Sequence, residues 1–467
     1  MASTSFSGLA SGIDSAALIE ASSEASRATR VKPNEKRITE LQATNAATEE
    51  LSNKLDLLRA TLEGFTTLSG GGVSKTGSSS KESVVAAEAS NAAINGSYAI
   101  TVNSLAKNHT FSFDQTFATT SGAVQSTLTG AEPDADRTIS FTVGSGAEQE
   151  SVNIVISNAT YSAADFVTAF NDASSKAQAS LINTGTTASP AYKIVLTSVY
   201  EGTEKGTITQ TAIGAALTNL VAHSEDVADD AEIAITGIGT ITRTTNSIAD
   251  VIPGVTLNIS SLGSAIVRIA EDVDTTVSRV QDFLDSYNEI VQYVNENNQV
   301  TRDETKKEVT NTFAPLANTG NDDNVLTALR SALSSANASG GSVARIFADL
   351  GITTDRDGTL KFDSTKLKTA IASEPTSVSD ILRSFADTTA TVGGTIDIYT
   401  RFNGQLGLSI NNNKDQITDL TTRIQEAEKQ IERQADSMRA RYARLESLMS
   451  RLQQQQSSLT STLSGLG

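Results

Sequence analysis

The sequence predicts an α+β chain, multidomain and elongated, with helical terminal coiled-coil legs and a helical domain into which two β-rich head modules are inserted. Three patterns predict it. Apolar residues step by three and four over the last fifty residues, alternate with period two over residues 73–270, and return to the helical period at Asp274. The expected division is 1–36 as an N-terminal assembly and export segment and 37–72 as the first helix of the helical domain. Residues 73–110 with 231–272 form one β-rich module, and 111–230 a second, inserted one. The helical domain resumes over 273–413, and 414–467 is a coiled-coil rod.

The terminal seam runs Ile417, Leu420, Ile424, Ala427, Ile431, Ala435, Met438, Tyr442, Leu445, Met449, Leu452, Leu459, Leu463 and Leu466. Steps of three and four keep one narrow stripe on one side of a helix, which then needs another helix to lie against. Two successive steps of four, from Ala427 to Ala435, form a stutter that locally unwinds a left-handed supercoil. With no Pro or Gly before Gly465, the stretch makes a rod of roughly 75 Å at 1.5 Å per residue.

Its candidate partner within the chain is the helix expected from about Arg37 to Phe65, where Leu51, Leu55, Leu58, Leu62 and Phe65 repeat the stepping and Ser69–Gly72 closes it. The inner halves fit either a bundle within one subunit or a contact between subunits. Beyond about Ala435, and before about Pro33, a partner subunit is the expectation. The opening residues are small and polar, with Phe6, Leu9, Ile13, Leu18 and Ile19 scattered through a weak helix capped near Asp14. Such a segment does not hold its shape alone in water.

Strands are expected at Tyr98–Val102, Ile139–Val143, Val152–Ile156, Tyr192–Leu196 and Val255–Ile259, each with alternating apolar residues. One helix interrupts them, with Ser162 as N-cap and Phe166, Phe170, Ala173, Ala177 and Leu181 on one face. After Asp274 as cap, Val277, Val280, Leu284, Tyr287, Val291 and Val294 form a helical stripe. A polar stretch over 295–321 leads to a second helix through Val325, Leu329 and Leu333. A third helix is expected to end at Gly351, followed by a hairpin turning at Arg356-Asp357-Gly358. Helices from near Asp363 and Ser377 complete the set, and Asn411-Asn412-Asn413 joins them to the rod.

Composition narrows the function. A net charge of −18 argues against nucleic acid, because phosphate neutralisation needs clustered Lys and Arg. The arginines of the last helix (Arg433, Arg439, Arg441, Arg444 and Arg451) are interleaved with Glu432, Asp436 and Glu446, as on a solvated coiled-coil flank. The absence of Cys removes disulfides and thiolate metal sites, and suits either a reducing cytosol or a chain that crosses membranes unfolded. No apolar run reaches the length of a secretory or membrane-spanning segment, so no membrane insertion is expected.

The residues point to no catalysis, metal or cofactor. His109 and His223 are the only histidines, and neither lies in a nucleophile context. Asp355, Asp357 and Gly358 resemble the middle of a calcium loop, but the first ligand place is Thr353 and the twelfth Ser364, which fits a tight turn better. Gly71–Thr76 lacks phosphate-loop spacing, and Asp322-Asp323 and Glu49-Glu50 read as solvated pairs.

Gly8-Leu9-Ala10-Ser11-Gly12-Ile13-Asp14 resembles the N-terminal signature of the bacterial flagellar filament cap family, hook-associated protein 2. So does the strand Gly96–Lys107 leading into its Leu-Ala pair, and Thr245–Leu257 is similar to the family's most specific block. Tyr287-Asn288, Leu350-Gly351-Ile352 and Asp357–Asp363 follow in the family's order, while the segment from about 111 to 230 carries no matching motif. The Asn-rich opening typical of flagellin is absent.

The resemblance implies a structural cap at the distal tip of the flagellar filament, outside the cell, exported unfolded through the flagellar channel. It implies a ring of identical subunits, usually pentameric, that prevents loss of exported flagellin and promotes its polymerisation. Flagellin, other hook-associated junction proteins and a flagellar export chaperone are the implied partners. The residues expected at assembly contacts are Leu9, Ile13, Leu18, Met438, Tyr442, Leu445, Met449, Leu452 and Leu459. An alternative is an adhesin that binds host mucin or glycans through the Ser/Thr/Asn-rich face of residues 111–230.

Overall fold

The computed structural model describes residues 14–303, 310–317 and 319–464, arranged as two compact units. One comprises Met1–Thr66 with Val277–Gly467, the other Thr67–Thr276.

The chain enters the first unit through α1 (Ser15–Arg30), capped by the Asp14 carboxylate on the Ala17 amide at 3.0 Å. The helix α2 (Lys32–Glu63) follows after Val31 alone. It starts five residues earlier than the apolar stepping suggested, because Pro33 falls in the first turn, where its missing N–H costs nothing. It also stops at the Gly64 C-cap, before the glycine run that was expected to end it. One face of α2 carries Leu41, Leu51, Leu55, Leu58 and Leu62, all buried.

The second unit holds two separate hydrophobic cores. Along the chain come β1 (Lys75–Ser79), β2 (Val85–Ala89) and β3 (Gly96–Ser104), then β4 (Asn108–Phe113), β5 (Thr138–Val143) and β6 (Glu150–Val155). The helix α3 (Ala163–Ala173) precedes β7 (Ala177–Asn183), β8 (Tyr192–Glu201), β9 (Ile208–Ile213) and β10 (His223–Asp226). The run closes with β11 (Ala231–Ile235), β12 (Gly239–Arg243), β13 (Ser247–Ile252), β14 (Val255–Ile259) and β15 (Gly263–Glu271).

The antiparallel sheet β1-β15-β3-β11-β12 and the sheet β13-β14-β2 share one core of Ile100, Val102, Ile233, Val267, Val255 and Leu257. The sheets β10-β4-β8-β7 and β6-β5-β9, with α3, enclose the other. Five phenylalanines dominate it, Phe111, Phe113, Phe141, Phe166 and Phe170, meeting mostly edge to face at 5.2–6.2 Å. Ser162 caps α3 as expected, in a reciprocal box with Asp165. Ala177 and Leu181, expected on that helix, belong to β7 instead. Ser174 ends α3 in extended geometry, and the Glu150 carboxylate takes its hydroxyl at 2.7 Å together with the amides of Ser175 and Lys176.

The helical period resumes in α4 (Val273–Asn297), whose cap is Asp272 rather than Asp274: its carboxylate accepts the Thr275 amide at 2.9 Å. Phe283 on α4 meets Phe65, Phe347 and Phe385 at 5.8–6.4 Å, the aromatic centre of the first unit. The polar stretch after α4 contains an antiparallel pair, β16 (Val300–Asp303) and β17 (Thr310–Phe313). Next comes α5 (Asn321–Ser335).

No helix ends at Gly351; residues 343–351 form successive turns, whose opening amides (Val343 and Ala344, with that of Ser342) all donate to the Glu374 carboxylate at 3.1 Å. Gly351 does adopt positive φ (+82°), and a Cβ there would lie 2.5 Å from the Asp363 carbonyl oxygen. The hairpin β18 (Ile352–Thr354) with β19 (Leu360–Phe362) turns where expected, with Asp357 accepting the Thr359 amide and hydroxyl and Asp355 paired to Lys361. Then follow α6 (Ser364–Ser373), α7 (Pro375–Ala390), α8 (Thr395–Thr400) and the long α9 (Gln405–Ser464).

Candidate assembly surface

At about 1.5 Å per residue, the 60 residues of α9 extend roughly 90 Å. The helix starts nine residues before Lys414 and runs straight through Asn411-Asn412-Asn413, which were expected to be a joint. Tertiary contact overrides the poor helix propensity of Asn here: Asn413 donates its side-chain amide to Oδ1 of Asn45 on α2 at 2.8 Å.

The first half of α9 is covered within the chain. Leu406 and Ile410 are buried, α2 lies along this half, and Thr400, just upstream, bonds Asp56 at 3.1 Å. Next, α1 takes over. Arg27 donates to Glu428 at 3.0 Å, Arg30 to Gln430 at 3.3 Å, and Ile19 is buried on α1 as Ile431 and Ala435 are on α9. Glu428, as bond partner and neighbouring charge, raises the Arg27 guanidinium above its ordinary value.

Past Ala435 no described residue of α9 is buried. Leu445, Leu448, Leu452, Leu459 and Leu463 are 43–69% exposed, and Met438, Tyr442 and Met449 are half-buried. Arg439 pairs with Asp436 one turn away at 2.6 Å, while Arg441, Arg444 and Arg451 are exposed on the same stretch. Among the described residues, none covers this row of leucines, which makes it a candidate surface for meeting another helix.

Of the nine residues expected at assembly contacts, Leu9 and Ile13 lie outside the described residues. Leu18 is on α1 and 49% exposed, whereas its neighbour Ile19 supplies the contact within the chain. Met438, Tyr442, Leu445, Met449, Leu452 and Leu459 share the outer half of α9. The seam reading passed over Leu448. It stands three residues after Leu445 and four before Leu452, so counting the i, i+3, i+7 neighbours of each seam position finds it.

Both histidines belong to the inserted module, His109 buried in it and His223 exposed on β10. His109 on β4 is 2% exposed; its backbone N–H donates to Ser198 Oγ, and that hydroxyl donates to the Tyr200 carbonyl. The ring instead accepts the Ile208 amide, so Ser198 is not arranged as a nucleophile with His109 as its base. Among the described residues, no group of three or more His, Cys, Asp or Glu is placed to hold a metal ion, and no helix is long and apolar enough to cross a membrane.

Family comparisons agree with this architecture. Residues 11–109 match the model of the flagellar hook-associated protein 2 N-terminus, and residues 228–454 that of its C-terminus. The A-type flagellar hook-associated protein 2 of Pseudomonas aeruginosa is 25% identical over 413 residues, 84% of this chain and 83% of that protein. The B-type protein of Pseudomonas aeruginosa PAO1 is 26% identical over 230 residues, so the chain spans about half of that relative's length, 47%. In fold, the chain is similar to the D1-D2-D3 domains of the flagellar cap protein from Escherichia coli. That likeness has a TM-score of 0.58 at 20% identity, covering 79% of this chain and 99% of that one. With both ends of one family matched in order around an unmatched insertion, the chain belongs to the flagellar hook-associated protein 2 family.

Proposed function

We propose that this chain is the cap of a bacterial flagellar filament, acting at the distal tip outside the cell. Copies close into a ring through heterologous contacts, hold back exported flagellin and promote its polymerisation. The observation that carries this reading is the outer half of α9, whose leucines are left exposed by the described residues. In the proposal these residues dock against helices of flagellin or of a neighbouring cap subunit. Burying one leucine is worth about 1.5–3 kcal/mol before ordering costs, so several together give firm seating while each contact stays reversible. Such reversibility suits a cap that steps forward as subunits are added beneath it.

The test is a chain truncated after residue 434 in a strain lacking its own copy. Flagellin monomers should then accumulate in the medium, with filaments short or absent. Filaments of normal length would overturn the assignment of α9 as the docking element.

A further inference from the structure

The inserted core contains a polar tie that hydrophobic packing does not require. The Ile208 amide, at the start of β9, donates to Nδ1 of buried His109 at 3.2 Å. His109 belongs to the sheet β10-β4-β8-β7 and Ile208 to the sheet β6-β5-β9, so this bond joins the two sheets. Because Nδ1 is the acceptor, the ring's own proton sits on Nε2. Nε2 has no hydrogen-bond partner and lies 3.8 Å from Glu225 Oε2 on β10. The other oxygen of Glu225 is 3.2 Å from His223 Nε2, and the His223 ring stacks on Phe111 at 4.4 Å.

We propose that His109 is a proton-operated latch in the inserted module: neutral, it ties β4 to β9, and protonated, it releases Ile208 and turns toward Glu225. The chemistry is simple. A proton from solvent binds the Nδ1 lone pair, leaving that nitrogen a donor facing another donor, so the Ile208 bond is lost. The imidazolium is then drawn to the carboxylate already beside Nε2.

The charged groups bearing on the ring come from β10, namely Glu225 and Asp226, with His223 on the far side of Glu225. From β9 the Ile208 amide meets the ring, and from β8 the Ser198 hydroxyl accepts the backbone N–H of His109; neither titrates. Burial lowers the His109 pKa, and Glu225 and Asp226 partly restore it. A folded-state value below the unfolded one means that the tie outlasts the ordinary imidazole value of about 6.5 and is lost only as pH falls through the lower, folded one.

The test uses the full chain. Hydrogen exchange at the Ile208 amide, corrected for intrinsic rate, is followed from about pH 7.5 to about pH 4 alongside amides of β14 in the other core. The expected result is at least about a tenfold loss of protection at Ile208, with β14 unchanged. His109→Gln should remove the pH dependence, His223→Gln should keep it, and Glu225→Gln should shift it to lower pH by removing the charge that draws and steadies the imidazolium. Constant protection at Ile208 across this range in the parent chain overturns the latch, and so does the same pH dependence in His109→Gln.

Discussion

Replacing Leu445, Leu452 and Leu459 together with Ser separates docking from folding. In the free chain these side chains are 43%, 51% and 63% exposed, so each has about half its surface left to bury. A fully buried leucine is worth about 1.5–3 kcal/mol, so half of it gives about 1 kcal/mol per site and about 3 kcal/mol for the three. At 1.4 kcal/mol per tenfold, assembly should weaken by about two orders of magnitude. Monomer stability should move by no more than about 0.5 kcal/mol per site, because exposed positions contribute little to the isolated fold. Sedimentation of the purified chain reads self-association, flagellin release into the medium reads capping, and urea titration reads stability. A triple variant that assembles and caps like the parent refutes the reasoning. So does one that loses as much stability as a core variant, which would place these leucines inside the folded monomer.

Phe141→Ala removes a ring that meets Phe111, Phe113 and Phe170 at 5.6–6.2 Å. It should cost about 3–5 kcal/mol, with hydrogen exchange rising in β5 and β9 but not in β14, whose core is separate. Ser342 and the amides of Val343 and Ala344 hold the Glu374 carboxyl down at about 2. Its stabilising contribution is therefore present above the ordinary carboxylate range and lost as pH falls toward 2. Glu374→Gln should flatten the acid limb of a pH-denaturation curve. Asp322 is buried at the first turn of α5, and desolvation raises its pKa. The folded state then binds the extra proton, and stability declines as pH rises from about 4 through the raised value. Asp322→Asn should raise the urea midpoint at pH 7 and remove that slope.

Periodicity alone located the long helices and the strand faces, because one-sided burial writes itself into the sequence as a step of 3.6 or 2. Val255, Leu257 and Ile259 alternate and are buried; Leu51, Leu55, Leu58 and Leu62 step and are buried. Ends were harder to read. Asp272 rather than Asp274 caps α4, since both are carboxylates at a plausible place and only the backbone geometry chooses between them. The helix α9 passes through three asparagines because Asn45 on α2, more than 360 residues away in sequence, receives one of them. The turns before Gly351 look helical in sequence, yet Glu374 gathers their amides instead. For the candidate surface, the six outer positions on α9 were visible as a seam. Leu448 was not, because a strict coiled-coil template is narrower than the stripe the helix presents. The His109–Ile208 tie had no sequence signal at all, since it joins a side chain to a backbone amide across 99 residues.

The Asn45–Asn413 pair has a mechanical consequence. A side-chain amide bond between two packed helices fixes register: sliding one past the other by a turn would break it and leave buried Asn45 without that partner. With that detent in place, α2 and the first half of α9 shift as a single block. A load applied at the far end of α9 is then passed to the aromatic centre of its own unit as displacement, instead of being dissipated as slippage between two greased rods.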